Sequence, residues 1–302
     1  MKANPNPIFI LGLMPRSGTN FLSNLLQLHP DCAPADPVWE DFIVAHLDQL
    51  ARFSATVTGE WDRDWNVDDQ AFTDLDISLG NGLTGFLEDR CKSARVISKT
   101  PRVTNLDLFY RFFPESRLLI LVRDGRSIVE SGARTFSWSR EAAIHSVAEA
   151  ARAISEFSES HAADQTRYRI LRYEDLWQDT EGQLRELFAF LELEPENYDW
   201  QTALALPVRG SSELKAREDS AVHWDPVERD PGFDPMSRFA EWSDAAHFRY
   251  NSVAGAVMER FGYRGKPVKA PTVLLQARNA LLDAAWSFRV LLRPVYHHLR
   301  KR

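Results

Sequence analysis

The chain reads as an α/β protein with a central, mostly parallel sheet flanked by helices in three layers. Three observations predict this. Short apolar runs without polar alternation recur at Ile8 to Leu13 and Arg117 to Val122, as strands buried on both faces require. Helical patterns separate the strand patterns along the chain, the order expected of parallel strands joined by crossover helices. At 302 residues with 44% hydrophobic content the chain can fill a large core.

The first strand, Ile8 to Leu13, is short, branched and bounded by Gly12 and Pro15. Phe21, Leu22, Leu25 and Leu26 then recur at helical spacing. Residues 36 to 90 are partly helical and rich in Asp and Trp, including WDRDWNVDD at 61 to 69, and read as an insertion near a substrate. Ala94 to Ser98 is a short strand with Lys99 just past it, and Asn105 to Phe113 is a helix ending at Pro114. The strand at 117 to 122 is followed by a long helix over Glu141 to His161 and a strand over Tyr168 to Arg172. Thr180 caps a helix with Leu184, Leu187, Phe188 and Leu191 on one face. Residues 207 to 235 have the Gly, Ser, Asp and Pro content of a long ordered loop, of the kind that serves as a lid. The helix after it, with Phe239, Trp242, Phe248 and Tyr250, belongs to the core.

Two domains follow from this, a main unit at 1–266 and an amphipathic, basic helical tail at 267–302. In the tail Leu274, Ala277, Leu281, Ala285, Phe288 and Leu292 form an apolar stripe. Asp283 and Arg289 interrupt it, so it is no membrane span. It either docks on its own domain or a partner helix, or makes peripheral contact with an anionic membrane surface.

Composition excludes some classes. A formal charge of −7 argues against nucleic acid, whose binders carry a basic excess. Cys32 and Cys91 make no disulfide framework, and Cys32 reads as a packing residue. The opening MKANPNPIFIL has too short an apolar run for a signal peptide, so a cytoplasmic location is the expectation.

The loop between the first strand and helix carries the chemistry. Ser17, Gly18, Thr19 and Asn20 can aim backbone N–H groups at one anion, with the helix N-terminus adding its positive dipole end. Gly18 lets the backbone approach closely. An ATP-binding loop needs G-x-x-x-x-G-K-[ST], but here Gly18 falls one position late after Gly12 and Thr19 stands where lysine should. The positive side chain has moved to Arg16. The second strand ends in Arg123, Asp124, Gly125 and Arg126, where a kinase would place a magnesium-holding carboxylate. Arg123 and the hydroxyl of Ser131 suit a second, separate phosphate.

Together these segments resemble the sulfotransferase family that uses 3′-phosphoadenosine 5′-phosphosulfate (PAPS), over most of residues 8 to 263. The family's P-[KR]-S-G-T-[TN] loop matches Pro15 to Asn20, and its R-x7-S element matches Arg123 and Ser131. Further stretches, HPDC after the first helix, SKTPR at 98 to 102, FFPESRLLILVRDGRSIVESG at 112 to 132 and LRYEDL at 171 to 176, look most like the branch of tyrosylprotein sulfotransferases and their bacterial relatives.

The resemblance implies a P-loop-like fold and metal-free, in-line transfer from PAPS to an acceptor hydroxyl. It implies that Arg16, Ser17, Gly18, Thr19, Asn20 and Phe21 bind the 5′-phosphosulfate, and Arg123 and Ser131 the 3′-phosphate with Tyr173 nearby. Arg209, Gly210, Ser211 and Ser212 match the element that closes over the nucleotide. Arg16 and Lys99 would face the leaving oxygen. The general base is either Asp36, by strict spacing, or Glu40, by reach, with His46 as an outside candidate. The acceptor is a carbohydrate, tyrosine, lipid or small-alcohol hydroxyl, and no motif chooses among them. The rival classes are a P-loop kinase-like nucleotide enzyme and a non-catalytic nucleotide-binding protein.

Overall fold

The computed structural model describes residues 6–65, 67–206, 236–269 and 272–300. Five strands, β1 (Ile8–Gly12), β2 (Cys32–Pro34), β3 (Arg95–Thr100), β4 (Arg117–Val122) and β5 (Tyr168–Arg172), form one sheet in the order β2-β3-β1-β4-β5. Every pairing is parallel. In register, Ile10 lies opposite Lys99 on one side and Leu119 on the other.

The helices are α1 (Thr19–Leu26), α2 (Leu47–Gly59), α3 (Asp69–Glu88), α4 (Phe109–Phe112), α5 (Gly125–Phe136), α6 (Arg140–Ser160), α7 (Tyr173–Gln178), α8 (Thr180–Leu191), α9 (Trp200–Leu204), α10 (Asp244–Tyr250), α11 (Ala256–Glu259) and α12 (Thr272–Arg300). A π-helical segment, Asn251–Gly255, joins α10 to α11.

The two-residue period of the strands divides the core into two layers. Phe9, Leu11, Leu118, Ile120 and Val122 point to the side covered by α5, α6 and Tyr250. Ile8, Ile10, Leu119 and Leu121 point to the side covered by α1 and α8. All are fully buried, which at about 1.5–3 kcal/mol per large aliphatic side chain makes this double-sided burial the main force holding the sheet. The chain leaves β1 toward β2 at one edge and leaves β4 toward β5 at the other. Adjacent strands whose connections diverge open a crevice at their carboxyl ends, and both candidate anion-binding loops lie there.

Several boundaries differ from the sequence reading. β3 runs through Thr100, so Lys99 is a strand residue, not one just past it. β2 was not anticipated, being three residues long and ending in proline at the sheet edge. Cys32 sits in it, buried, with its thiol pushed up to about 12 by burial. The span 105–113 divides into a 3₁₀ turn, Leu106–Leu108, and α4. Asp179, not Thr180, caps α8: its Oδ1 accepts from Gly182 N at 2.9 Å, while the Thr180 hydroxyl donates back to Leu176 O. Phe239 and Trp242 precede α10, and Tyr250 alone of that aromatic set is fully buried.

The tail docks, but by an unexpected face. Asp283 pairs with the buried guanidinium of Arg249 at 2.8 Å, Asn279 donates to Ser252 Oγ at 2.8 Å, and Trp286 stacks on His145 at 4.0 Å. Leu274, Leu281 and Phe288 of the apolar stripe remain 72%, 74% and 64% exposed. The surface offered by α6 and α10 is polar, so the helix turns its interrupting polar positions inward. Among the described residues no helix is long and apolar enough to cross a membrane.

Candidate active site

The first candidate loop is braced by its own side chains. Ser17 Oγ donates to Met14 O at 2.7 Å and accepts from Met14 N at 3.0 Å, and Ser17 N also donates to Met14 O. Ser17 therefore frames the loop, and its amide is spent. The amides that point outward begin at Gly18, since the first α1 hydrogen bond runs from Leu22 N to Gly18 O. Gly18 adopts φ 98°, and a Cβ there would lie 2.3 Å from the Tyr173 ring. Only glycine serves both requirements.

The second loop meets the first directly. Arg123, 6% exposed at the tip of β4, donates from Nη1 to Arg16 O at 3.0 Å and lies over the Tyr173 ring at 4.4 Å. Arg16 Nε donates to Ser131 Oγ at 2.9 Å. Burial, then the charges of Arg238 and Arg123, bring the Arg16 guanidinium down to about 10. Arg16, Arg123 and Arg238 thus bring positive charge together at the tips of β1 and β4. Asp124 and Arg123 make no surface pair. Asp124 instead caps α5 and binds Arg126 at 2.6 Å, and its amide donates to Glu174 Oε1 at 3.0 Å. Glu174 also accepts from Tyr263. This buried frame sets the direction of the β4 tip.

Lys99 and Glu40 form the third part. Lys99 Nζ lies 3.6 Å from Glu40 Oε1 and donates to Asn20 Oδ1, so it connects the carboxylate to the first turn of α1. Burial lowers the lysine's pKa and Glu40 opposes that shift. Asp41 anchors the turn that carries Glu40. Its carboxylate accepts from Lys99 N at 2.9 Å, Ser98 Oγ at 2.8 Å and Ile43 N at 3.0 Å. A cleft of about 480 Å³ opens here, with Asn20, Trp39, Glu40 and Lys99 in its wall.

The remaining candidates lie elsewhere. Asp36 binds Lys92 at 2.9 Å at a half-exposed position and lines a separate depression. His46 is exposed on the turn before α2, facing Gln49. Phe21 packs edge-on to Tyr173 at 6.0 Å. Arg209, Gly210, Ser211 and Ser212 lie outside the described residues. Sequence reasoning missed Asp41, Glu174 and Arg238. Asp41 was readable as an acid adjoining Glu40, and Glu174 as part of LRYEDL, but Arg238 has no local pattern around it. Arg238 is 7% exposed and reaches Arg16 only through the fold. Among the described residues no three acidic, histidine or cysteine side chains gather as metal ligands do.

Comparisons with known proteins agree with this geometry. A family profile described as "Sulfotransferase family" matches residues 7–197. Two solved structures share the fold. One is the sulfotransferase domain from the Synechococcus PCC 7002 olefin synthase, 20% identical, covering 87% of this chain and 97% of that one, with a TM-score of 0.53. The other is the sulfotransferase domain from the curacin biosynthetic pathway, 18% identical, covering 87% and 99%, with a TM-score of 0.52. No curated protein matches the chain. The matches are to the family as a whole and single out no branch of it. With both anion loops at the carboxyl ends of a parallel sheet, and with the family profile spanning more than half its length, this chain belongs to the sulfotransferase family.

Proposed function

We propose that the protein transfers a sulfuryl group from PAPS to an acceptor hydroxyl, with Glu40 as general base. The observation that carries the reading is the position of Lys99, between Glu40 and the first turn of α1. A donor sulfate held by the amides of Gly18 to Phe21 would have both a base and a cation within reach.

The residues fit both ends of the donor. Gly18 lets the loop turn at φ 98° against the Tyr173 ring, and the Ser17 hydroxyl keeps the loop in shape. Arg123 and Ser131 supply a guanidinium and a hydroxyl for the 3′-phosphate, with Tyr173 orienting Arg123 by stacking. Arg16 reaches Ser131 and is assigned to the phosphates, which leaves Lys99 for the departing oxygen. Arg209 to Ser212 would cover the nucleotide.

In the reaction the acceptor oxygen forms a bond to sulfur as the bond from sulfur to the bridging phosphate oxygen breaks. Glu40 takes the hydroxyl proton, and Lys99 balances the charge that grows on the bridging oxygen. The electron pair of the broken bond leaves with adenosine 3′,5′-bisphosphate. The reading calls for no metal ion, because Lys99 and the arginines supply the positive charge.

Calorimetric titration tests it. Adenosine 3′,5′-bisphosphate should bind at least about tenfold more tightly than ATP or ADP, a difference of about 1.4 kcal/mol. Equal or tighter binding of ATP would sink the donor assignment and favour a kinase-like enzyme.

A further inference from the structure

The cleft beside Glu40 has a lining that selects among acceptors, and the inference drawn from it rests on the sulfuryl-transfer reading. One wall is the stripe Asn20, Ser23, Asn24 and Gln27, which share a face of α1 at helical spacing. All four are uncharged and hydrogen-bonding. Ser23 and Gln27 bond each other at 2.9 Å, whereas the Asn24 amide makes no hydrogen bond among the described residues. Trp39 also lines the cleft. Its indole is 60% exposed and makes no ring contact among the described residues, although most aromatic side chains near the sheet are packed against others. Trp39 also borders the second depression, about 250 Å³, that holds Asp36 and Lys92.

We propose that the acceptor is a neutral saccharide whose ring lies on Trp39 and whose hydroxyls meet the α1 stripe. A pyranose has one face of C–H bonds, suited to the electron-rich face of an indole, and a rim of hydroxyls suited to amides. An alkyl alcohol would cover the stripe without bonding it and would leave the Asn24 amide without a partner. A tyrosine phenol stacks on Trp39 but leaves the stripe unmet. An acidic peptide lacks a basic rim, since Lys99 is engaged by Glu40 and Lys92 by Asp36. The cleft's volume lies in the range of small-molecule sites. The depression across Trp39 gives room for a second sugar or an aglycone.

The test uses the full chain with labelled PAPS and an acceptor panel of methyl glucoside, methyl galactoside, maltose, lactose, cellobiose, a tyrosine peptide and 1-octanol, with binding of adenosine 3′,5′-bisphosphate measured in parallel. Transfer to at least one saccharide is expected, with a disaccharide better than its monosaccharide. Trp39→Ala should raise the acceptor KM by about fivefold to tenfold with nucleotide affinity unchanged, and Trp39→Phe should restore most of it. Gln27→Leu should raise the same KM. Trp39 is exposed, so neither variant at that site empties the core. Transfer only to the peptide or to octanol, no transfer to any saccharide, or an unchanged KM in Trp39→Ala overturns this inference while the bound nucleotide keeps the donor reading intact. Failure to bind the nucleotide overturns both.

Discussion

Arg16 and Ser131 stand 115 positions apart in the chain and are joined by a hydrogen bond of 2.9 Å, from Nε to Oγ. That contact joins two loops. With Arg123 bonded to the Arg16 carbonyl, the residues that would hold the two ends of a bisphosphorylated adenosine are linked by hydrogen bonds.

Arg123→Ala should weaken adenosine 3′,5′-bisphosphate binding by about tenfold to a hundredfold, the range of one or two charge-assisted hydrogen bonds. Ser131→Ala should cost about tenfold or less. Calorimetry with the ligand and with a version lacking the 3′-phosphate checks the assignment. The variants should narrow the gap between the two ligands, and an unaltered gap would remove Arg123 and Ser131 from the 3′ site.

Glu40→Gln should lower kcat by about a hundredfold or more with nucleotide affinity unchanged, as expected when a general base is lost. Asp36→Asn should stay within a few-fold of the parent, because Asp36 is paired with Lys92 outside the cleft. A reversed order of the two, measured by sulfuryl transfer from labelled PAPS, would assign the base to Asp36.

Glu130 sets part of the acid limit of stability. Burial would raise its pKa, but hydrogen bonds from Arg140, Arg134 and Trp242 outweigh that and bring it from 4.5 down to about 2. Its folded value lies below its unfolded one, so its contribution is complete above about 4.5 and fades as pH falls toward 2. Glu130→Gln should lower Tm by roughly 5 to 10 °C at pH 7, the cost of breaking a buried charge network in a chain of this size. Thermal scans against pH should find the gap between parent and variant closing below about pH 4.

Deleting residues 271–302 should leave nucleotide affinity intact, since among the described residues α12 bonds Arg249, Ser252 and Ala245 and stacks on His145, on α6, α10 and the π-helical segment. It should lower Tm by a few degrees, because Arg249, 3% exposed, keeps Glu141 but loses Asp283. Calorimetry on the truncated protein checks the first expectation and a thermal scan the second. Loss of nucleotide binding would tie the tail to the site.

The legible parts of the chain were those written in local pattern. β4 was read to its ends and β1 to within a residue, because strands buried on both faces carry unbroken apolar runs, and Tyr168–Arg172, only partly buried, was also read to its ends. β2 carries no such run, since an edge strand of three residues buries little. The α12 stripe was read as a face for docking or for a membrane surface, and in the structure the helix is held by its polar positions while Leu274, Leu281 and Phe288 stay exposed. An amphipathic pattern states which residues avoid water when they can, and the polar surface presented by Arg249 and His145 decides otherwise.

Local patterns read in order along the chain were enough to determine the parallel sheet and the family, since each strand and each motif rests on residues within a dozen or so positions of one another. Only the tertiary structure decided that Arg16 turns to Ser131, that Glu40 rather than Asp36 faces Lys99, and that Asp41 ties the Glu40 turn to β3. These contacts join segments 57 to 115 positions apart. Side-chain hydrogen bonds act over about 3 Å, so which distant groups meet depends on how the strands order themselves in the sheet.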